Sequence, residues 1–436
     1  MSRLKLTLKF KKHPFIKDAL ALIGGNTWAQ AINIIAYVVL ARIYSPQDFG
    51  LYNIFFSYIE VLVILSTCKY EMAIVLADSD RQAAAVSRLA LRLNTIVSCV
   101  LLAFAFLLCT VAKYTNGMQI SAPSFQLLIL LIPPMVFFCG TTRVYTHLFN
   151  RFRKFNQIAL SEMVGATSGV AFKILLGLPR LATTAIHSCG LALGTVLGRV
   201  AANINYLLNK SKLNLPKEIT RDEQRDVARR YRNFPLYTMP KDLINSFSYN
   251  LPFLWLAFYF DKAEVGLFAM AMTCSFRPVN VFNNAFEKLM YVRVVEKVHA
   301  HQPIMDDLKR FFRIVCIAAL PFFVVAFLFG DSILGFLLGG RWSQCGYYLR
   351  CLLPWVFVQL TSTSLMFIPN VFSRQRGEFL FYLLLLLLRV ISVIVGIATM
   401  DFRLSILLFS MSGMVVSAAL LIWYFSLARH YQTEGL

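Results

Sequence analysis

Charge is scarce in this chain, and acidic charge scarcer still. Only 15% of the 436 residues are charged, and Asp plus Glu number 22 against 43 Lys plus Arg. With 58% hydrophobic residues and a mean hydropathy of +0.62, there is too little polar surface to cover a water-soluble core. No GxxxxGK[ST] segment occurs, so nothing points to ATP hydrolysis by the chain itself. The nine cysteines are scattered singly, with Cys99, Cys109, Cys139 and Cys316 inside apolar runs. Without a CxxC or a Cys/His cluster, neither a zinc site nor a disulfide framework is supported. The six histidines are isolated, and His13, His299, His301 and His430 fall in segments expected to face the cytoplasm. None belongs to an acid/base constellation, and no outer loop is long enough to carry a catalytic domain. The expectation is a non-enzyme without a cofactor.

Apolar runs are what the chain has in abundance. Leu380–Leu388 is almost unbroken leucine, and Phe311–Leu328, Leu353–Phe367 and Ile406–Leu427 are similar. Crossing about 30 Å of hydrocarbon takes roughly 20 apolar residues in a helix. Spans are expected near 19–42, 51–67, 92–111, 124–147, 157–177, 183–207, 239–260, 265–291, 311–330, 347–370, 378–399 and 404–427. The first runs past the length of a signal peptide without a small-residue cleavage site and reads as a span.

Orientation follows from the basic residues. With both termini inside, the inner segments hold 27 Lys and Arg, while the outer loops hold 5, namely Lys113, Arg180, Lys262, Arg341 and Arg403. That asymmetry places the termini in the cytoplasm. It also explains the net charge of +21 without invoking nucleic acid.

The halves repeat. Residues 40–52 read LARIYSPQDFGLY and residues 256–268 read LAFYFDKAEVGLF, an offset of 216. A weaker echo is Arg151/Arg153 against Arg374/Arg376. The fold class expected is an all-α membrane protein with about twelve transmembrane helices. They form two six-helix lobes related by a pseudo-two-fold axis along the membrane normal. Its parts are a cytoplasmic N-terminus (1–18), an N-lobe (19–207), a cytoplasmic linker (208–238), a C-lobe (239–427) and a cytoplasmic tail (428–436). The linker, with KEITRDEQRDVARRYR, has helical spacing and mixed charge and reads as a surface helix near anionic headgroups.

Ionisable side chains inside spans are costly and mark interior faces or watery cavities. Glu60, Arg199, Arg277 and Arg389 lie well inside their spans. Lys173, Arg143 and Arg350 lie nearer the ends, where snorkelling accounts for them. At helical spacing, Asn26, Gln30 and Asn33 share a face, as do Asn53, Ser57 and Glu60. So do Asp242, Asn245 and Tyr249, and Arg199, Asn203 and Tyr206. Arg277, Asn280 and Asn284 continue into Glu287 and Lys288. Spans one, two, seven and eight, equivalent pairs of the repeat, thus carry polar stripes. Packing through interhelical hydrogen bonds is the plain alternative for any single Asn or Ser. Together the stripes favour a cationic, hydrated cleft whose guanidiniums suit a diphosphate, with Glu60 the expected resting partner of Arg277. Pro133, Pro134, Pro240, Pro252, Pro278 and Pro354 bend such helices.

Several blocks of the sequence carry a resemblance. RYRNFPLYTMPKDLINSFSYNLPFLWLAFYFDKAEVGLFAMAMT is similar to the start of the second lobe in Wzx-type polysaccharide flippases. LARIYSPQDFGLYNIFFSYIEVLVILSTCKYEMAIVLADSDRQA resembles their first two spans, with Tyr70–Glu71 and the AIVL that follows. RPVNVFNNAFEKLMYVRVVEKV and FGDSILGFLLGGRWSQCGYYLRCLLPW resemble the eighth span and a Gly-x-x-Trp outer loop. The resemblance implies the multidrug/oligosaccharidyl-lipid/polysaccharide exporter superfamily. It implies transfer of undecaprenyl-diphosphate-linked oligosaccharide to the periplasmic leaflet of the bacterial inner membrane, for O-antigen, capsule or exopolysaccharide. Membrane lipids, a polysaccharide polymerase and a chain-length regulator are the partners it implies. Twelve spans lack the extra helical pair of the peptidoglycan-precursor branch. The family's cavity residues match here in character only, so Arg199 and Arg277 rest on spacing. The energy source expected is a proton or sodium gradient or downstream consumption of product. A cation-coupled multidrug exporter of the same fold fits an Arg-bearing cavity poorly, and a membrane polymerase fits the repeat and bare outer loops poorly.

Accessibility mapping with reporter fusions is expected to place both termini and residues 208–238 in the cytoplasm, with Lys113, Lys262 and Arg341 outside. A periplasmic 208–238 segment would overturn the charge count and the lobe assignment together.

Overall fold

In hydrocarbon each backbone N–H and C=O needs a partner within its own segment, which leaves helices as the spanning element for such runs. A computed structural model describes residues 14–114, 122–178, 184–213, 215–216, 218–299, 302–372 and 374–434. The side chains of Asn26, Asn284, Glu287 and Lys288 lie outside the described residues. All regular elements among the described residues are helical. The longer helices in the first half are α1 (Pro14–Ile43), α2 (Pro46–Thr67), α3 (Asp80–Tyr114), α4 (Pro123–Arg151), α5 (Phe155–Leu176) and α6 (Gly190–Asn209). A short helix, α7 (Arg221–Arg230), follows. The second half contributes α8 (Met239–Trp255), α9 (Lys262–His299), α10 (Met305–Leu338), α11 (Cys345–Ser362), α12 (Gln375–Thr399) and α13 (Phe402–Glu434). With α7 set aside, each half supplies six, as the repeat requires.

By length and composition alone, α2 to α6, α10, α12 and α13 can cross a membrane. The helices that fall short are instructive. In α8, Asp242, Asn245, Ser246, Ser248 and Asn250 interrupt the apolar run, and in α9 Arg277, Asn280 and Asn283 do so. Polarity is concentrated where the sequence shows its stripes. Elsewhere large apolar side chains face outward, among them Val100, Phe104 and Leu107 on α3 and Ile317, Phe322 and Leu328 on α10. A hydrocarbon solvent leaves such side chains no reason to be buried.

Packing divides the chain into two units. The first comprises residues up to Tyr44 with Leu51–Leu243, and the second Ser45–Gly50 with Ile244–Leu436. In the first, α5 packs on α6 and α1, α3 on α4, and α4 on α6. Glycines let α5 and α6 approach: a Cβ on Gly198 would lie 2.6 Å from the Gly165 carbonyl oxygen and 2.7 Å from the Gly169 Cα. This is the small-residue packing that membrane helices use in place of a hydrophobic driving force. The α7 helix is docked on the first unit. Thr220 and Glu223 close a capping box at its start, Val227 is buried, Arg81 pairs with Glu223 and Arg230 with Asp78. The Arg81 hydrogen bond, then the Thr220 backbone, hold the Glu223 carboxyl down to about 2. That contribution is present above the ordinary carboxylate range and is lost as pH falls toward that value.

In the second unit α12 packs on α13, and α11 on α9, α10 and α13. Its core is aromatic: Phe276 meets Trp355 edge-on at 4.6 Å, and Trp355 meets Phe409 at 5.7 Å. The first turn of α2 also belongs here. Ser45 and Asp48 cap that turn reciprocally, Ser45 N–H donating to Asp48 Oδ2 at 2.9 Å and Asp48 N–H to Ser45 Oγ at 3.3 Å. Pro46 takes the first helical position, where its missing N–H costs nothing. Phe49 meets the fully buried Trp342 edge-on at 5.1 Å, so the Gly-x-x-Trp loop anchors this turn.

Gly50 and Gly266, equivalent positions of the repeat, are in direct contact. A Cβ on Gly266 would lie 2.8 Å from the Gly50 nitrogen and would fall on the Pro46 carbonyl. A Cβ on Gly50 would fall on the carbonyl of Lys262, the repeat equivalent of Pro46. The contact is reciprocal, as a local two-fold between the two motif copies demands. Gly266→Val is expected to destabilise the protein by about 1–3 kcal/mol or more, the cost of overpacking a closed site. Gly340→Ala, whose Cβ meets nothing within 4 Å, is the neutral control. A melting temperature unchanged by Gly266→Val would show that the contact is dispensable.

Candidate functional site

The first unit holds a row of ionisable groups in its interior. Close packing of α5 and α6 brings Glu162, one turn before Gly165, against Arg199, the residue after Gly198. Arg199 Nη1 donates to Glu162 Oε2 at 3.4 Å. Arg199, Arg143, Glu162 and Glu60 all lie within electrostatic range of the Cys139 thiol on α4. Asn203 fastens α6 to α4, its amide donating to Thr142 Oγ1 at 2.9 Å and to the Phe138 carbonyl at 3.0 Å. Tyr206 and Thr146 share a hydrogen bond of 3.1 Å, and Ser161 donates to Asn205 at 2.9 Å. Neutral amides and hydroxyls thus lock the helices.

Cys139, Arg143 and His147 follow at intervals of four along α4 and share a face. His147 feels the charges of Glu71, Lys69 and Arg143. Lys69 in turn pairs with Asp242 at 2.6 Å. A row of ionisable groups therefore continues from Glu162 and Arg199, past Arg143 and His147, to the turn before α3. Arg151, at the end of α4, closes that turn. It donates to the Ala77 carbonyl at 2.6 Å and pairs with Asp80 at 3.1 Å.

Of the residues proposed from spacing, Glu60, Arg199 and Asp242 belong to this row. Asn33 and Asn53 are half-buried and Gln30 is exposed in the same unit. Asn245, Arg277 and Asn280 are exposed on α8 and α9 of the second unit. Arg389 is buried there at 2% exposure. Its guanidinium lies 4.4 Å from the Phe409 ring centre and 4.8 Å from that of Trp355, and donates to Ser248 Oγ at 3.2 Å. It is held by aromatic faces. Asn26 and Asn284 fall on side chains outside the described residues. Spacing alone missed Glu162, Arg143, His147, Lys69 and Glu71. The signals available were the glycine ladder that joins α5 to α6 and the four-residue interval on α4.

A chain of helical spans in two six-helix halves, with paired ionisable groups inside a span, has the makings of a membrane transporter. Comparison with solved structures agrees. An inward-facing multidrug resistance MATE family transporter of the MOP superfamily superposes with a TM-score of 0.66 at 12% identity, covering 93% of this chain and 96% of that one. The lipid II flippase MurJ in its inward closed conformation gives 0.63 at 13% identity, covering 94% and 90%. A MOP superfamily transporter from Pyrococcus furiosus, described as having a binding pocket of reversed polarity, gives 0.59 at 12%, covering 94% and 95%. These likenesses establish the fold as that of membrane transporters. No curated protein sequence matches. The family model described as "Polysaccharide biosynthesis protein" matches residues 39–346, and the chain belongs to that family.

Arg199→Met leaves Glu162 without its cation and is expected to cost about 1–3 kcal/mol, less than a fully buried pair because both side chains are partly exposed. The double variant Arg199→Met/Glu162→Gln is expected to regain most of that stability. Additive losses in a double-mutant cycle of thermal stability would deny the pairing.

Proposed function

We propose that this chain is a flippase that carries undecaprenyl-diphosphate-linked oligosaccharide units from the cytoplasmic to the periplasmic leaflet of a bacterial inner membrane. The units serve O-antigen, capsule or exopolysaccharide assembly. Membership of a polysaccharide biosynthesis family is the observation that carries this proposal, and the transporter fold supplies the means. The guanidiniums of Arg143 and Arg199 inside the first unit, with Arg277 on α9, support an anionic headgroup as the load. Arginine grips a diphosphate with two parallel hydrogen bonds where lysine offers a point charge. A lipophilic cation would meet repulsion from the same groups, which disfavours multidrug export. That one solved structure of this fold is named a lipid II flippase adds support for a lipid-linked load. A polysaccharide polymerase and a chain-length regulator are the partners this function calls for downstream.

Deletion is expected to abolish surface polymer while lipid-linked units accumulate on the cytoplasmic leaflet. Units that reach the periplasm but stay unpolymerised would identify a polymerase instead. Arg277→Ala is expected to reduce transport at least about tenfold, the loss of some 1.4 kcal/mol of headgroup binding, with normal expression. Arg277→Lys is expected to recover part of it. Transport at the wild-type rate in a well-expressed Arg277→Ala protein would remove this residue from the binding site.

A further inference from the structure

The second unit holds a cavity of its own, about 380 Å³ in volume, where α9, α11 and α13 begin and α10 nears its end. That is within the range of small-molecule sites, roughly 300–1,000 Å³. Glu264, Asp331, Gln344, Tyr347, Arg350 and Arg403 line it. The asymmetry of the basic residues expects this end, with Lys262, Arg341 and Arg403, to face the periplasm.

Close backbone approach builds the walls. A Cβ on Gly346 would fall on the Asp331 carboxylate and lie 2.6 Å from the Asp331 nitrogen, so α10 and α11 touch here. One turn further along α11, Arg350 Nη1 donates to Asp331 Oδ2 at 2.5 Å. Cys345 Sγ donates to the Leu267 carbonyl at 3.3 Å and ties the start of α11 to α9. Tyr348 is buried and meets Phe402 edge-on at 5.6 Å and Tyr347 edge-on at 5.5 Å. The Tyr347 ring is thereby held half-buried at the cavity wall, with the Arg403 guanidinium 5.2 Å from its centre. Comparison of the two motif copies shows which carboxylates are spent on the backbone. In the first copy Asp48 caps the turn through Ser45. In the second, at the same offset of 216, capping passes to Asp261, whose Oδ1 accepts from the Ala263 N–H at 3.2 Å. Asp401 likewise accepts from the Leu404 N–H at 3.1 Å at the start of α13. Glu264, the equivalent of Asp48, lines the cavity instead.

We propose that this cavity is a saccharide site, taking a sugar ring of a neutral glycan against Tyr347 with its hydroxyls among Glu264, Gln344 and Arg403. A pyranose has an apolar C–H face and a rim of hydroxyls that both donate and accept. The face suits an aromatic ring. The rim suits a wall that offers carboxylate acceptors beside guanidinium donors. The charges decide against other ligands, because two carboxylates and two guanidiniums line the cavity and balance. A diphosphate would meet Glu264 and Asp331, and a lipophilic cation would meet Arg350 and Arg403. No cluster of metal-holding side chains exists among the described residues. A zwitterionic headgroup would have to break the Arg350–Asp331 pair, whereas a hydroxyl can bond to both partners while the pair stands. The use of the site, to hold a sugar once it is delivered to the outer leaflet, rests on the flippase proposal; the binding itself does not.

Saturation-transfer NMR on the full chain in phosphatidylglycerol nanodiscs tests this, with methyl glycosides of hexoses, 6-deoxyhexoses and N-acetylhexosamines as probes. At least one glycoside is expected to receive saturation from the wild-type chain, and equally from Gly340→Ala, whose added Cβ meets nothing within 4 Å. Glu264→Gln is expected to weaken that binding about tenfold, as loss of a charged hydrogen-bond partner does. Tyr347→Ala is expected to abolish it and Tyr347→Phe to keep it. Glu264→Gln preserves the shape of the site, so its result decides even where Tyr347→Ala lowers the melting temperature. Glycerophosphoethanolamine is expected not to displace the sugar. Saturation of no glycoside, binding untouched by Glu264→Gln, or displacement by glycerophosphoethanolamine overturns the site. Glycoside binding that these variants remove, in a chain that moves no sugar lipid in vesicles, sinks the flippase reading alone.

Discussion

A charge inside hydrocarbon must have a counter-charge, a polarisable face or water beside it, because leaving it bare costs several kcal/mol. The described interior of this chain shows three answers to that demand. Arg199 takes a carboxylate, Glu162, on the neighbouring helix. Arg389 takes two aromatic faces and a hydroxyl, with the rings of Phe409 and Trp355 within 5 Å. Glu71, 2% exposed, has an Oε2 that takes no hydrogen bond among the described residues. The demand is met in different degrees: Arg199 has its carboxylate, whereas Arg389 keeps a buried Nε, and Glu71 an Oε2, without a hydrogen bond among the described residues.

The glycines decide how those answers are reached. An ion pair between α5 and α6 requires the helix axes to come close, and Gly165, Gly169, Gly194 and Gly198 remove the side chains that would hold them apart. The reciprocal contact of Gly50 and Gly266 does the same for the two repeat motifs. The conserved feature of the internal repeat is therefore a backbone approach more than a set of side chains. Of the outright matches between the two copies, Leu, Ala, Gly and Leu, it is the glycine that makes this approach.

The helical class, the span count and the repeat were legible because each rests on a local signal: apolar length, basic loops and a motif copied at an offset of 216. The ionisable row was legible only in part. Glu60, Arg199 and Asp242 show themselves by depth or periodicity. Glu162 has no polar neighbour at helical spacing that marks it, and becomes significant only when α6 lies against α5. Arg143 sits near a helix end, where snorkelling is the simpler expectation, yet its Nη1 is buried. Lys69 lies in a turn whose left-handed backbone no pattern of apolar residues announces.

The linker helix carries contacts that its mixed charge does not announce. Its mixed charge suggests a solvated helix between two lobes. In the folded chain one face of α7 is occupied: Glu223 by Arg81, Arg230 by Asp78, and the Ala228 carbonyl by the Tyr70 hydroxyl at 3.2 Å. Tyr70 is the neighbour of both Lys69 and Glu71. The helix that precedes α8 is thus pinned to the same turn that holds Asp242. The segment entering the second unit is consequently fixed at two points about one short helix apart, α7 at one end and Asp242 at the other. Between them lies the π-helical turn with Pro235, the one stretch there with a proline and a loosened hydrogen-bond pattern to absorb movement.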